Sequence, residues 1–398
     1  METKTAYTPE LRFPEFSGDW QEKTLGDICN VISEKGNFND IGNYVSTENM
    51  LQNYGGVVFD TKQPAINSLT KYRKGDILFS NIRPYLKKVW QASVDGTASN
   101  DVIVFRTQNT FDECFVCYVI KNDTFIDYVM ASAKGVKMPR GDKNTMLNYK
   151  ISFPPLPEQR KIAACLSSLD SLIKSVGEKI DLLKQHKKGL MQKMFPKRGS
   201  NVPELRFDGF EGDWVAVQFG SIFNETKDVS KVDNEDTLLS STINGISLNS
   251  DVFSHQRGES TKGYKKIKKN MLILSAQNLH LGNANVNLQF EHGLISPAYK
   301  TYEIIGCDPI FLSHWIKRDA TKNFFFVATT EGASVCRRNV EWSKLYSQEI
   351  LLPSLAEQKA IASCLTSLDN EIEKYEQKLQ ALQMHKKGLM QKMFVKIR

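Results

Sequence analysis

The side chains whose types and spacing suit chemistry in this chain are cations and amides, not nucleophiles or metal ligands. Lys71, Arg73, Lys74, Arg83, Lys87 and Lys88 crowd one stretch, interleaved with Tyr72 and Tyr85. Farther on, Lys262, Lys265, Lys266, Lys268 and Lys269 surround Tyr264. Lys and Arg reach phosphates, while Arg, Asn and Gln make the paired hydrogen bonds that tell one base edge from another. Asn81 and Arg83 follow the strand-like run Asp76–Phe79, and Gln277 with Asn278 hold the matching place after Met271–Leu274. Arg140, and Arg337 with Arg338, mark a second candidate loop in each stretch. Taken singly, a basic run is a solvated face. Its recurrence at one landmark, in two stretches that share little sequence, favours contact with a nucleic-acid polyanion.

Other chemistries lack their signatures. No phosphate-cradling G-x-x-x-x-G-K-[ST] run occurs; Gly258 to Gly263 has a similar spacing, but Tyr264 stands where the Lys belongs. Methylation of an exocyclic amine calls for Asn or Asp before Pro-Pro-aromatic, whereas Phe153-Pro-Pro-Leu156 has the wrong residue at both ends and reads as a turn. Cys114-x-x-Cys117 has no second pair and lies in an apolar run, so buried thiols are expected there rather than zinc. His186 and His385 sit beside lysines, which fits helix-end electrostatics or partner contact. No catalytic or metal site is expected.

The elements that position these residues follow from composition and repetition. At 398 residues the chain has room for two or three domains, and 41% apolar with 24% charged residues excludes wholesale disorder. The net charge of +7 permits a polyanionic partner without requiring one. Seven scattered cysteines fit a reducing compartment, not a disulfide scaffold. The start lacks a secretory apolar core, and runs such as Cys114 to Ile120 fall short of a membrane span. A soluble, cytoplasmic protein with no membrane contact is the expectation.

The chain is written twice. His186-Lys-Lys-Gly-Leu-Met-Gln-Lys-Met-Phe195 recurs unchanged at His385 to Phe394, a shift of 199 residues. Glu158 to Asp170 matches Glu357 to Asp369 at the same shift, and Pro9-Glu-Leu-Arg-Phe answers Pro203-Glu-Leu-Arg-Phe at 194. A repeat of this length is a tandem pair of domains, not a solenoid. The expected layout is two mixed sheet-and-helix domains at 1–154 and 199–352, each followed by a long helix, at 155–198 and 353–398. The helical segments are nearly identical while the domains diverge, so one mechanical job is done twice and two different things are recognised.

Apolar residues fall at alternating steps of three and four through the first helix: Ile162, Leu166, Leu169, Ile173, Val176, Ile180, Leu183, Leu190 and Met194, broken only by Lys187. The second repeats the pattern with Ile361, Leu365, Leu368, Ile372, Tyr375, Leu379, Leu382, Leu389 and Met393, broken only by Lys386. This spacing predicts a coiled-coil seam in which one Lys at a core position fixes register. Either the helices merely clamp two domains, or they pair with each other and offer further surface to partner helices. About 38 residues at ~1.5 Å each span roughly 57 Å, more than one ~34–36 Å turn of DNA.

Two divergent domains, each followed by a helix opening near Glu-Gln-x-x-Ile, resemble the specificity subunits of type I restriction-modification enzymes. The motif stands as Leu156-Pro-Glu-Gln-Arg-Lys-Ile162 and Leu355-Ala-Glu-Gln-Lys-Ala-Ile361, with Lys74-Gly-Asp-Ile-Leu-Phe-Ser80 as a further mark. The second copy departs from that last pattern at Asn270-Met271. The resemblance implies an α+β architecture of two target-recognition domains, separated and joined by helices that pair as an antiparallel coiled coil with pseudo-two-fold symmetry. It implies a non-catalytic subunit whose domains each read half of an asymmetric bipartite site on double-stranded DNA. Its helices would set the spacing and dock two methylation subunits, and restriction (translocase and nuclease) subunits would complete the assembly. Cofactors would be absent from this subunit, with S-adenosylmethionine, ATP and Mg used by the complex. The alternatives are a coiled-coil scaffold without a DNA role and a divergent DNA-modifying enzyme.

Overall fold

A computed structural model describes residues 8–37, 42–59, 68–253, 260–334 and 337–395. The chain divides into two compact units, Met1–Glu178 with Gln377–Arg398, and Lys179–Glu376. Each unit thus takes one mixed sheet-and-helix domain, the first part of the long helix that follows it, and the last part of the other long helix.

In the first unit a four-stranded antiparallel sheet has the order Cys29–Val31, Val102–Thr107, Ile77–Ser80, Val89–Gln91. Ile77–Ser80 is buried at every position, so the run is apolar instead of alternating, as expected of a strand covered on both faces. The same order recurs in the second unit as Phe223–Thr226, Tyr299–Ile304, Met271–Ser275, Ala284–Val286, again with the central Met271–Ser275 wholly buried. A separate two-stranded ladder, Gln21–Thr24 with Lys150–Phe153 or Val215–Gln218 with Glu349–Leu352, leads into each long helix.

Local chemistry divides what looks continuous in sequence. The helix-like stretch from Cys114 to Ala131 is two helices, Glu113–Ile120 and Asp123–Ala131, because the Asn122 side chain accepts the amide of Thr124 and restarts the helix. In the second unit Pro309–Ile316 is likewise followed by a separate helix, Asp319–Phe326. The run Gly56–Phe59 does not form a strand; Val57 makes only an isolated bridge to Met50.

The long helices are Leu156–Lys193 and Leu355–Lys392, 38 residues each. All twenty positions of the expected seams, including Lys187 and Lys386, are buried or half-buried, and none is exposed. The two lysines at core positions are matched across the pair: Lys386 reaches Asp170 in the first unit and Lys187 reaches Asp369 in the second. Within the second unit Lys184 pairs with Glu376 and Lys187 with Asp369, so one helix ascends as the other descends. The pairing is antiparallel.

Three short repeated motifs meet at each junction of domain and helix. Glu158, side chain 1% exposed, accepts two hydrogen bonds from Arg12 at 2.8 and 2.7 Å. Glu357 takes the same pair from Arg206 at 2.9 and 2.7 Å. The next residue turns the corner: Gln159 donates to the Pro154 carbonyl and accepts the Asp112 amide, as Gln358 does with Pro353 and Asp308. The Met-Phe ends of the long helices are plugs. Phe394 packs on Phe115 at 5.4 Å in the first core, and Phe195 on Phe311 at 5.3 Å in the second.

Removing one partner of such a carboxylate–guanidinium pair strands the other charge out of water, which costs about 3–5 kcal/mol. Arg206→Ala is therefore expected to lower the urea midpoint of unfolding well beyond the effect of Lys266→Ala at a half-exposed surface pair. Equal midpoints would contradict a structural role for this pair.

Candidate nucleic-acid interface

In the first unit the chain leaves Ile77–Ser80 and turns through Asn81, Arg83 and Tyr85. Arg83 has φ +52° and Lys87 φ +54°, in the left-handed region that side chains with a Cβ rarely occupy. The turn is held from two sides. Asn53 and Tyr54, also left-handed, donate their amides to the carbonyls of Leu86 and Lys87 at 3.0 and 2.9 Å. From the other side the loop carrying Arg140 is bolted on: Lys134 and Arg140 exchange backbone hydrogen bonds, Arg83 N donates to the Pro139 carbonyl, and Gly141 N donates to the Asn81 carbonyl. Gly141 is needed for this approach, since a Cβ there would lie 2.3 Å from Met146 Cε and 2.7 Å from Val129 Cγ1.

The two loops singled out in sequence, Asn81–Lys88 and Arg140, are thus one surface. Their side chains differ in what they have left to offer. Arg83 and Tyr85 are exposed, and neither makes a side-chain hydrogen bond or ion pair among the described residues. Arg140 leans on Asp101 at 3.1 Å, Lys87 is paired with Asp123 at 2.5 Å, and Lys88 donates to the Thr47 carbonyl at 2.6 Å. Asn81 Oδ1 is buried without a partner among the described residues. Lys71 and Arg73 lie elsewhere. Lys71 is on a separate strand, Leu69–Tyr72, where it faces Thr97 and pairs with Glu34, and Arg73 is exposed beside the Asp76 turn that precedes Ile77–Ser80.

The second unit repeats the plan with different residues. Gln277 and Asn278 are exposed just past Met271–Ser275, their backbone N–H groups donating to the Ser275 hydroxyl. The matching loop is a hairpin of Thr329–Ser334 and Arg337–Val340. Arg338 folds back on it, donating to the Thr329 hydroxyl and carbonyl at 2.8 and 2.9 Å and lying 4.4 Å from the centre of the Phe326 ring. The side chain of Arg337 lies outside the described residues. Burial, and next the positive charge of Arg338, hold His280, on the turn after Met271–Ser275, below the ordinary imidazole range. Lys262, Lys265 and Lys266 precede the strand, at or near Lys265–Lys268, and Lys266 is paired with Glu235.

A different cationic feature lies on the helix side of the second unit. A cavity of about 1030 Å³ is lined by Lys188, Arg198, Lys317 and Arg318, with Met191 and Leu288 among its apolar walls. The Lys317 stem is open to the cavity, but its ammonium turns inward to the Ile243 carbonyl and Asn285 Oδ1. Burial lowers Lys317 to about 8 and, separately, Arg318 over the Phe195 ring to about 10. Nearby His314 is pushed down to about 4, by burial first and then by the charge of Lys187. Among the described residues no group of three or more His, Cys, Asp or Glu is placed to hold a metal ion, and no helix is long and apolar enough to cross a membrane.

Residues 17–185 and 213–384 match the model of the type I restriction modification DNA specificity domain. The chain belongs to this family: it is a specificity subunit of a type I restriction-modification system, with two DNA-recognition domains. A curated relative, the type I restriction enzyme MjaVIII specificity subunit of Methanocaldococcus jannaschii, is 24% identical over 96% of this chain and 92% of its own length. In fold the chain is similar to the type I restriction-modification S subunit from M. genitalium, with a TM-score of 0.61 at 15% identity over 98% of this chain and 100% of that one. It is also similar to a chain from the structural description of complex assembly and conformational transition of the type I R-M system, with a TM-score of 0.54 at 19% identity over 94% and 97%.

Proposed function

We propose that each recognition domain reads one half of an asymmetric, bipartite site on double-stranded DNA through the paired loops at the far end of its central strand. In this reading the long helices set the unread gap and dock two methylation subunits. The observation that carries it is the closure, in the first unit, of the post-strand turn on the loop carrying Arg140, together with the approach of Arg338 in the second unit's hairpin to His280 on its post-strand turn. In the first domain Arg83 and Tyr85 are the side chains free to contact bases, while Lys87, Lys88 and Arg140 position the loops and face phosphate. In the second, Gln277 and Asn278 take the base-reading place, with Arg338 stiffening the hairpin beside Arg337. Lys71, Arg73, Lys262, Lys265 and Lys266, on or beside the strand that precedes each central strand, serve the flanking backbone.

The subunit is an adaptor that carries no active site. The methylation subunits bring S-adenosylmethionine and the adenine chemistry, and restriction subunits add ATP- and Mg-dependent translocation and cleavage in the cytoplasm. Leu172, Leu182 and Met384 remain exposed on the long helices, outside the seam, and supply apolar surface for partner helices.

Replacing residues 20 to 150 by those of a relative is expected to change one half of the methylated site and leave the other, as read by mapping modified adenines across a genome. A change in both halves would refute modular readout. Deleting one heptad from both long helices together should shorten the gap between half-sites, and an unchanged gap would show that the helices are not the spacer. Arg83→Ala should reduce discrimination at one half-site by about 1–3 kcal/mol, measured as the ratio of specific to non-specific binding at fixed salt. Lys87→Ala should weaken both kinds of binding together, by lowering the number of phosphate contacts.

A further inference from the structure

Val136 and Met138 stand at the tip of the loop that closes on Arg83. Val136 is fully exposed and Met138 is half exposed, an unusual place for two aliphatic side chains in sequence. The tip is not a loose end. Its base is closed by the reciprocal Lys134–Arg140 backbone bonds, Pro139 receives the Arg83 amide, and Gly135 turns the chain at φ +100°. Lys134, Lys137, Arg140 and Arg83 surround it with positive charge. Those cations suit phosphates, but the apolar pair at their centre has nothing to gain from a phosphate. On a double helix the apolar edge open to a side chain in the major groove is the C5-methyl of thymine.

We propose that Val136 and Met138 form an apolar contact that reads thymine methyl groups in the half-site taken by the first domain. This rests on the reading of the paired loops as the DNA-contacting surface. In the second unit Leu281, on the turn after Met271–Ser275, and Phe326, at the end of the short helix Asp319–Phe326 and under the Arg338 guanidinium, are also exposed. A wedge driven between base pairs is the other use of exposed apolar side chains on such proteins. Val136 is short and β-branched, with little rotamer freedom to reach into a stack, which favours surface contact with a methyl.

The test uses the full chain bound to its methylation subunits and a duplex carrying its mapped site. Each thymine of one half-site is replaced in turn by deoxyuridine, which removes only the methyl group. The wild-type protein is expected to bind about fourfold more weakly at one or two of these positions, the loss that goes with one buried methyl-sized group. The Val136→Ser, Met138→Ser double variant should bind the thymine duplex about as weakly and no longer distinguish thymine from uracil. Its unchanged preference at the other half-site reports that it is folded. Equal binding of thymine and uracil by the wild type at every position, with site preference intact, would overturn this inference and leave the proposed function standing. So would retained methyl sensitivity in the double variant, or methyl-blind binding accompanied by a rise in 2-aminopurine fluorescence, which marks a wedge. Loss of all site preference in the wild type would defeat the proposed function and this inference together.

Discussion

A carboxylate withdrawn from water at the start of a long helix has to be matched on the spot, and the architecture follows from how that is done. Glu158 is held by both nitrogens of the Arg12 fork and Glu357 by those of Arg206, the bidentate geometry that makes guanidinium–carboxylate pairs directional. Because Arg12 also donates to the carbonyls of Ser17 and Gly18, the same side chain fixes the course of the strap that carries it. The strap then receives a helix end: Leu11 N donates to the Lys392 carbonyl, and Leu205 N to that of Lys193. One ion pair therefore orients the beginning of one helix and the end of the other within each unit. The Met-Phe plug completes the joint by burying Phe394 and Phe195 in the domain cores.

That joint explains why some segments of the two copies are nearly identical and others have drifted apart. The repeated motifs are those whose partners are also repeated: Arg with Glu, Gln with a proline carbonyl and an N-cap amide, Phe with an aromatic. The paired loops carry no side-chain partnership that recurs between the copies. Their shape is set by backbone hydrogen bonds, as between Arg83 and Pro139 or Lys134 and Arg140, which tolerate changes of side chain. A surface built this way can change what it contacts while its position on the sheet is kept. The left-handed conformations at Asn53, Tyr54, Arg83 and Lys87 are local strain held in place by this framework, and such strain gathers where contact geometry matters more than stability.

Much of this was legible in sequence where the signal is local and periodic. The seam could be written down residue by residue because a coiled coil imposes a 3.5-residue repeat, and every named position is at least half-buried. The central strands Ile77–Ser80 and Met271–Ser275 announced themselves as short apolar runs. What lay hidden was set by tertiary contact. Arg12 and Glu158 are 146 residues apart, and both motifs were visible as repeats without any sign that they are one pair. The cationic stretch from Lys71 to Lys88 looked like a single cluster, but Lys71 belongs to the strand Leu69–Tyr72 of another sheet and Arg83 to the turn after Ile77–Ser80. Spacing likewise gave no warning that Lys71, Lys87 and Lys266 already have acidic partners, while Arg83 has none among the described residues. The restart at Asn122 was readable in principle, since Asn before Asp-Thr is a cap signal, but the apolar pattern on either side masked it.

The lysines at core positions of the seam show how a constant helix pair meets variable domains. Each is matched by an aspartate of the facing helix, yet what lies over that pair differs between units. In the first, Tyr118 donates its hydroxyl to Asp170 at 2.8 Å and its ring lies 5.5 Å from the Lys386 ammonium. In the second, His314 fills the corresponding place, 4.0 Å from Asp369, and is kept neutral by burial and by Lys187. The hydrogen-bonding load at this point therefore falls on the helices, and the domain needs only to cover the ion pair with a half-apolar ring. A tyrosine hydroxyl and an uncharged imidazole both do so without adding charge. The demand the helices place on a domain here is small in number and loose in identity, which lets unlike recognition domains be mounted on one invariant pair of rods.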